Sequence, residues 1–181
     1  MIYQTLFSLY SEQGATAYFG ESVTTLEHSL QAAHFARKSN ASDALIAAAL
    51  LHDVGHLLAR APADVAEWKA DARHEVSGAR WLASRFGPDV FEPVRLHVPA
   101  KRYLCATDPN YAAQLSSASL HTLKLQGGPM SAAEIQAFQA EPYHRAAISL
   151  RQWDDSGKVA GLSTRGFADY RALILALAGQ R

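Results

Sequence analysis

The sequence predicts an all-α protein, and three observations carry that expectation. Apolar residues recur at helical rather than alternating spacing over most of the chain. Ser and Thr residues that suit helix N-caps precede several of those runs. Strand-type alternation is weak throughout. At 181 residues the chain is expected to form a single domain, 1–181, long enough to bury a core without disulfides or structural staples.

Taken in order, Thr24 or Thr25 starts a helix whose inner face carries Leu26, His28, Leu30, Ala33 and Phe35, and which ends at Ser39-Asn40. Ser42 caps the next, the run ALIAAALLHDVGHLL, apolar nearly all round and therefore central. Gly55 and Pro62 mark its end. Residues 73–86 read as a helix stopped by Gly87-Pro88, and another holds Val90 to His97 with an interruption at Pro99. Residues 101–130 look the least regular, with a turn at QGGPM. Ser131 caps AAEIQAFQAE, and Pro142 opens a core helix, YHRAAISLRQWDD, that ends at Gly157. The tail from Phe167 to Leu177 is a short amphipathic helix.

Composition removes several functions. Lys+Arg and Asp+Glu are both 17, so no basic excess exists to hold a phosphate backbone, and no nucleic-acid partner is expected. Cys105 is the single cysteine, which excludes a disulfide framework and fits a reducing, cytoplasmic setting. The N-terminal MIYQTLFSLYSEQG lacks the features of a signal peptide. No apolar run approaches the roughly 20 residues of a membrane span, so no membrane association is expected.

Metal-seeking side chains supply the chemistry: His28, the contiguous pair His52-Asp53, His74, His97 and Asp154. His52, Asp53 and His56 lie at the end of the most apolar helix, where burial without partners costs several kcal/mol, roughly 2–7 per polar group. A metal ion is the simplest partner. Imidazole and carboxylate suit Fe, Mn or Zn, and Asp53, with two oxygens, is the natural bridge between two ions. Asp154 shares a helix with Ala147, Leu150 and Trp153, which favours an inward carboxylate. Taken alone, a His in an apolar helix is more often a core residue bonded to backbone; the ordered set argues otherwise. His34, His121 and His144 have no ligand pattern around them and read as structural or exposed.

Against this background, YFGE (18–21), LEHSLQAA (26–33), AALLHDVGH (48–56), His74-Glu75 with Gly78-Ala79, HVPAKRYL (97–104), LSSASLHTLKLQGGPM (115–130) and LRQWDD (150–155) together resemble one branch of the HD superfamily. That branch comprises mixed-valent di-iron oxygenases that cleave carbon–phosphorus bonds. The resemblance runs from Tyr18 to about Lys158 and implies an HD-superfamily helical bundle. It implies one iron on His28, His52, Asp53 and Asp154, and a second on His74 and His97 with Asp53 bridging. His56, Lys101, Ser119 and Arg151 fall at positions that hold a phosphonate, with Arg151 offering a planar fork and Lys101 a compact charge. Tyr18 is expected near an iron before substrate arrives, and Glu21 is expected to receive a substrate ammonium. Arg102 reads as solvated.

The implied cofactors are two iron ions, Fe(II)/Fe(III), with O2 as cosubstrate. The implied substrate is 2-amino-1-hydroxyethylphosphonate, oxidised at C1 and cleaved to glycine and phosphate, with the trimethylammonium and hydroxymethyl analogues as alternatives. His52, Asp53, His56 and Tyr18 are the expected catalytic set. The competing class is an HD phosphohydrolase, in which the same ligands hold divalent metals that activate water. A non-catalytic HD module is expected to have lost ligands, and none is missing.

Overall fold

The computed structural model describes residues 1–61 and 70–179. The chain is built from helices: α1 (Ile2–Gln13), α2 (Thr25–Lys38), α3 (Asp43–Leu51), α4 (Val54–Ala59), α5 (His74–Ala83), α6 (Pro88–Thr107), α7 (Tyr111–Gln114), α8 (Ser117–Leu125), α9 (Ala132–Ala140), α10 (His144–Ser156) and α11 (Arg171–Ala178), the last preceded by a 3₁₀ turn at Phe167–Tyr170. No strand occurs among the described residues, only an isolated bridge between Ala17 and Thr24. The fold class is all-α.

The caps explain several starts. Thr24 Oγ1 accepts from Glu27 N at 3.1 Å while Glu27 Oε2 accepts from Thr24 N at 2.7 Å, a reciprocal capping box. Ser131 and Glu134 repeat it at α9, and Ser42 Oγ accepts from Leu45 N at α3. Each such cap contributes about 1 kcal/mol.

α3 is the axis of the core. Ala47 to Leu51 are fully buried, with α2, α6 and α10 packed round them. Tyr10 donates its hydroxyl proton to Leu50 O at 3.0 Å, so α1 is tied to that axis by a buried hydrogen bond. Leu82, Leu150, Tyr170 and Ile174 complete the same apolar cluster. Truncating any of the leucines to Ala would cost about 2–5 kcal/mol.

Four expectations are corrected. The helix begun at Asp43 does not continue through His56: it ends at Leu51, Asp53 takes φ −98° and ψ 13°, and α4 restarts at Val54. Pro62 lies outside the described residues. Pro99 does not interrupt α6, which runs through both Pro93 and Pro99 to Thr107. Each proline removes one hydrogen bond and costs about 3 kcal/mol or more in a helix interior, and packing of α6 along α5 and α10 offsets this. The 101–130 stretch, expected to be irregular, is largely helical through the end of α6 and α7 and α8. Arg102, expected in solvent, donates from Nε to Gly128 O at 2.8 Å and from Nη2 to Glu134 at 2.7 Å, pinning the QGGPM turn.

Candidate metal centre and substrate cavity

The helix break at His52-Asp53 lets two adjacent side chains enter one interior space. His28 comes one turn into α2, His74 opens α5, His97 lies mid-way along α6 and Asp154 sits in the last turn of α10. All are buried. They form two groups whose ligand atoms lie within 4.8 Å of one another: His28, His52 and Asp154, and Asp53, His74 and His97. The Asp53 carboxylate divides between them. Its Oδ2 is 3.4 Å from His52 Nε2 and 3.7 Å from His28 Nε2, while Oδ1 is 3.3 Å from His74 Nε2 and 3.8 Å from His97 Nε2.

Hydrogen bonds on the far side of the rings decide where the protons are. His28 Nδ1 lies 2.9 Å from Gly157 O, His52 Nδ1 2.8 Å from Ala49 O, and His97 Nδ1 2.7 Å from Val94 O. A carbonyl only accepts, so each Nδ1 carries the proton and each Nε2 of a neutral ring presents a lone pair. As neutral rings in that tautomer, His28 and His52 face each other lone pair to lone pair, with Nε2 atoms 3.1 Å apart. That arrangement calls for a cation. His74 Nε2 and His97 Nε2 repeat the 3.1 Å spacing, with His97 fixed by its carbonyl and His74 Nδ1 facing Glu75 at 3.6 Å. Burial pushes His52 and His56 down, and burial with His74 and His52 nearby pushes His97 down to about 3, which favours the neutral form of each ring. Burial opposes ionisation of Asp53 and Asp154, yet the imidazoles round Asp53, and Arg151 beside Asp154, hold both well below the usual carboxylate range. Mixed imidazole and carboxylate donors fit two ions of the Fe, Mn or Zn type.

Above the metal-seeking groups lies a cavity of about 40 Å³, room for roughly three water molecules. Tyr18 reaches it from a turn in which Phe19 and Gly20 both take positive φ (47° and 82°) and Glu21 N donates to Tyr18 O at 2.8 Å. Tyr18 stacks on His28 with centroids 3.8 Å apart and donates to Asp53 Oδ2 at 2.7 Å. Burial and the Asp53 charge raise its hydroxyl well above the ordinary value, so it stays protonated. His56 stacks on His74 at 3.7 Å. Lys101, buried, donates to Thr122 Oγ1 at 2.9 Å. Arg151 donates to Asp154 Oδ2 at 2.7 Å and leans toward Ser119 Oγ at 3.5 Å.

Every site residue drawn from the sequence thus converges on one region, and the structure adds others. Asp155 and Tyr111 brace Arg151: Tyr111 Oη accepts from Arg151 Nε at 3.0 Å and donates to Asp155 Oδ2, while Asp155 Oδ1 accepts from Arg151 Nη2. Although burial opposes it, Asp154 and Asp155 keep that guanidinium firmly charged. Asp155 was readable, one helical turn after Arg151 in LRQWDD. Lys158 lines the cavity too, pairs with Glu21 Oε1 at 3.2 Å, and carries no sequence signal because it lies past the Gly157 cap. His144, outside the site, is held by Glu141 O at 2.7 Å.

A helical bundle enclosing His28, His52-Asp53 and Asp154 in this order has the arrangement of an HD domain, and the HD-domain family model matches residues 25–153. The chain belongs to the HD-domain family. It belongs, more narrowly, with that family's C–P-cleaving oxygenases: it is 47% identical over 167 residues to the hydroxymethylphosphonate dioxygenase of Gimesia maris, covering 92% of this chain and 83% of the relative. It is 38% identical over 173 residues to the glycine-betaine-forming [1-hydroxy-2-(trimethylamino)ethyl]phosphonate dioxygenase of Leisingera caerulea, covering 96% and 88%. An uncharacterized protein L432 of Acanthamoeba polyphaga mimivirus is 34% identical over 173 residues. No described helix is long and apolar enough to cross a membrane.

Proposed function

We propose that this protein is a di-iron dioxygenase that cleaves the C–P bond of a small 1-hydroxyphosphonate. The observation that carries the reading is the pair of imidazole groups, joined by Asp53, directly beneath a cavity lined by the cations Lys101 and Arg151. Dinuclear metal ligation and a cationic pocket for a dianion occur there together.

His28, His52 and Asp154 would hold one iron, His74 and His97 the other, with Asp53 shared. Bound iron supplies the redox chemistry that couples O2 reduction to substrate oxidation. The remaining work falls to the chain's own side chains. Arg151 and Lys101 neutralise the phosphonate oxygens, Ser119 and His56 add hydrogen bonds, and together they fix C1 over the metal centre. Burial of the whole set keeps bulk water from the reacting carbon. The reaction balances without an external reductant. Hydroxymethylphosphonate and O2 give formate, hydrogen phosphate and a proton; the 2-amino-1-hydroxyethyl compound and O2 give glycine, hydrogen phosphate and a proton.

Which member of the class is turned over depends on how Glu21 is engaged. A bare carboxylate there suits 2-amino-1-hydroxyethylphosphonate. A carboxylate already paired with Lys158 suits hydroxymethylphosphonate, the substrate named for the Gimesia relative.

The deciding experiment is phosphate release by anaerobically iron-loaded protein, with and without O2, from both compounds. Release that requires O2 is expected. Release at the same rate under strict anaerobiosis would replace this reading with the phosphohydrolase one.

A further inference from the structure

Lys158 stands outside the metal ligands and beyond the last turn of α10, yet its backbone is held on both sides. The carboxamide of Gln31, buried in α2, donates from Nε2 to Val159 O at 2.8 Å and accepts at Oε1 from Val159 N at 2.9 Å. On the other side Gly157 O accepts from His28 Nδ1 at 2.9 Å. A buried amide satisfied in this two-point manner fixes the chain direction between them. The side chain so aimed reaches into the cavity. There Nζ donates to Ser119 Oγ at 3.0 Å and Ser116 Oγ at 3.2 Å, and lies 3.2 Å from Glu21 Oε1. Glu21 Oε1 is buried and makes no well-aligned hydrogen bond, so the Lys158 charge is its compensation.

We propose that Lys158 is the specificity-determining residue of the site: its ammonium occupies, on Glu21, the place a substrate amine would take, and so selects a 1-hydroxyphosphonate with no cationic substituent. This rests on the reading of the protein as a 1-hydroxyphosphonate oxygenase. An amine-bearing substrate must displace a tethered competitor whose effective concentration is of order millimolar or more. It must also leave Lys158 to find a new partner beside Arg151 and Lys101. Hydroxymethylphosphonate needs neither change. Removing Lys158 would leave a buried carboxylate bare, which repels a compact dianion and attracts an ammonium.

The test compares kcat/KM for hydroxymethylphosphonate and 2-amino-1-hydroxyethylphosphonate in wild type, Lys158→Met, Lys158→Arg and the double variant Glu21→Gln/Lys158→Met. The ratio favouring the hydroxymethyl compound should fall about tenfold or more in Lys158→Met. It should stay close to wild type in Lys158→Arg, which keeps the charge, and recover in the double variant, where no carboxylate is left to compensate. If Lys158→Met weakens both substrates equally and the double variant recovers nothing, Lys158 is a phosphonate ligand and the proposal is overturned. Dissociation constants for methylphosphonate and 2-aminoethylphosphonate, measured anaerobically on iron-loaded protein, read the same ratio without turnover. A binding ratio that shifts in protein with no oxygenase activity keeps this proposal and rejects the functional reading. An unmoved ratio in an active oxygenase does the reverse, and wild type that binds neither phosphonate overturns both.

Discussion

Tyr18 donates its hydroxyl proton to Asp53 Oδ2 at 2.7 Å, on the same oxygen that faces His28 and His52. The ring meanwhile lies flat on His28. A single aromatic side chain therefore shields one histidine and satisfies the carboxylate that joins the two metal-seeking groups. It links the YFGE turn to the interior of the bundle.

Tyr18→Phe keeps the stacking and removes the proton. In metal-free protein the buried Asp53 carboxylate would lose a charge-assisted hydrogen bond, worth about 1.5–3 kcal/mol. Bound metal would supply the lost compensation, so the loss of stability should shrink in metal-loaded protein. Chemical denaturation of both forms measures it. A loss of equal size in the two would mean that Tyr18 keeps an equally strong partner once metal is present, as a phenolate ligand would.

His97→Ala removes one Nε2 from the second group while leaving His28, His52 and Asp154 intact. Iron per chain should fall from two to about one, turnover should be lost, and the far-ultraviolet circular dichroism should stay helical. Metal analysis on anaerobically reconstituted protein is the measurement. Two irons retained in the variant would mean that His97 is a second neighbour rather than a ligand.

The metal-seeking residues were legible because their chemistry conflicts with their setting: polar groups at the end of the apolar run Ala44–Leu51 have few reasons to be there other than ligation. The cavity cations Lys101 and Arg151 were legible from helical offset, Lys101 four residues after His97 and Arg151 three before Asp154. Lys158 also follows Asp154 by four, but the helix stops at Ser156, so offset says nothing about it. What places it is Gln31, 128 residues distant in sequence from Val159, and a long-range amide clamp has no local signature. Helix α6 shows the opposite failure. Pro99 reads as a break in any single-sequence treatment, and only packing against α5 and α10 overrides it.

Gly55 and Gly78 set how closely α4 approaches α5. A Cβ on Gly55 would stand 2.1 Å from His74 O, and one on Gly78 would stand 3.0 Å from Gly55 N. Both obstacles are backbone, so the helices must separate. Gly55→Ala should cost about 1–3 kcal/mol or more, exceed Gly78→Ala, and displace His74 enough to weaken the second metal. Thermal unfolding together with metal content tests this. An unchanged melting temperature with two metals retained would show that the helix contact has slack to give.

Lys101 couples stability to pH. Burial, with Arg151 and Lys158 adding repulsion against the pull of Asp154 and Asp155, pushes its ammonium down from 10.5 to about 7. Between about pH 7 and 10.5 the unfolded chain binds the proton that the folded chain has released, so this residue's contribution to stability rises with pH through that window. Below 7 the folded protein carries the charge at full penalty. Lys101→Met should therefore stabilise metal-free protein most at pH 6, by up to about 5 kcal/mol, with the gain fading toward pH 10. The same variant should lose about 1.5–3 kcal/mol of affinity for the phosphonate end, roughly ten- to hundredfold in Kd. Stability gained where binding is lost is the mark of a charge held for a ligand. Denaturation curves at pH 6, 8 and 10, beside phosphonate titrations of the metal-loaded form, measure both halves. A variant that is less stable than wild type at pH 6 would mean that Thr122 and the neighbouring carboxylates already stabilise the charged lysine, with no need of a substrate dianion.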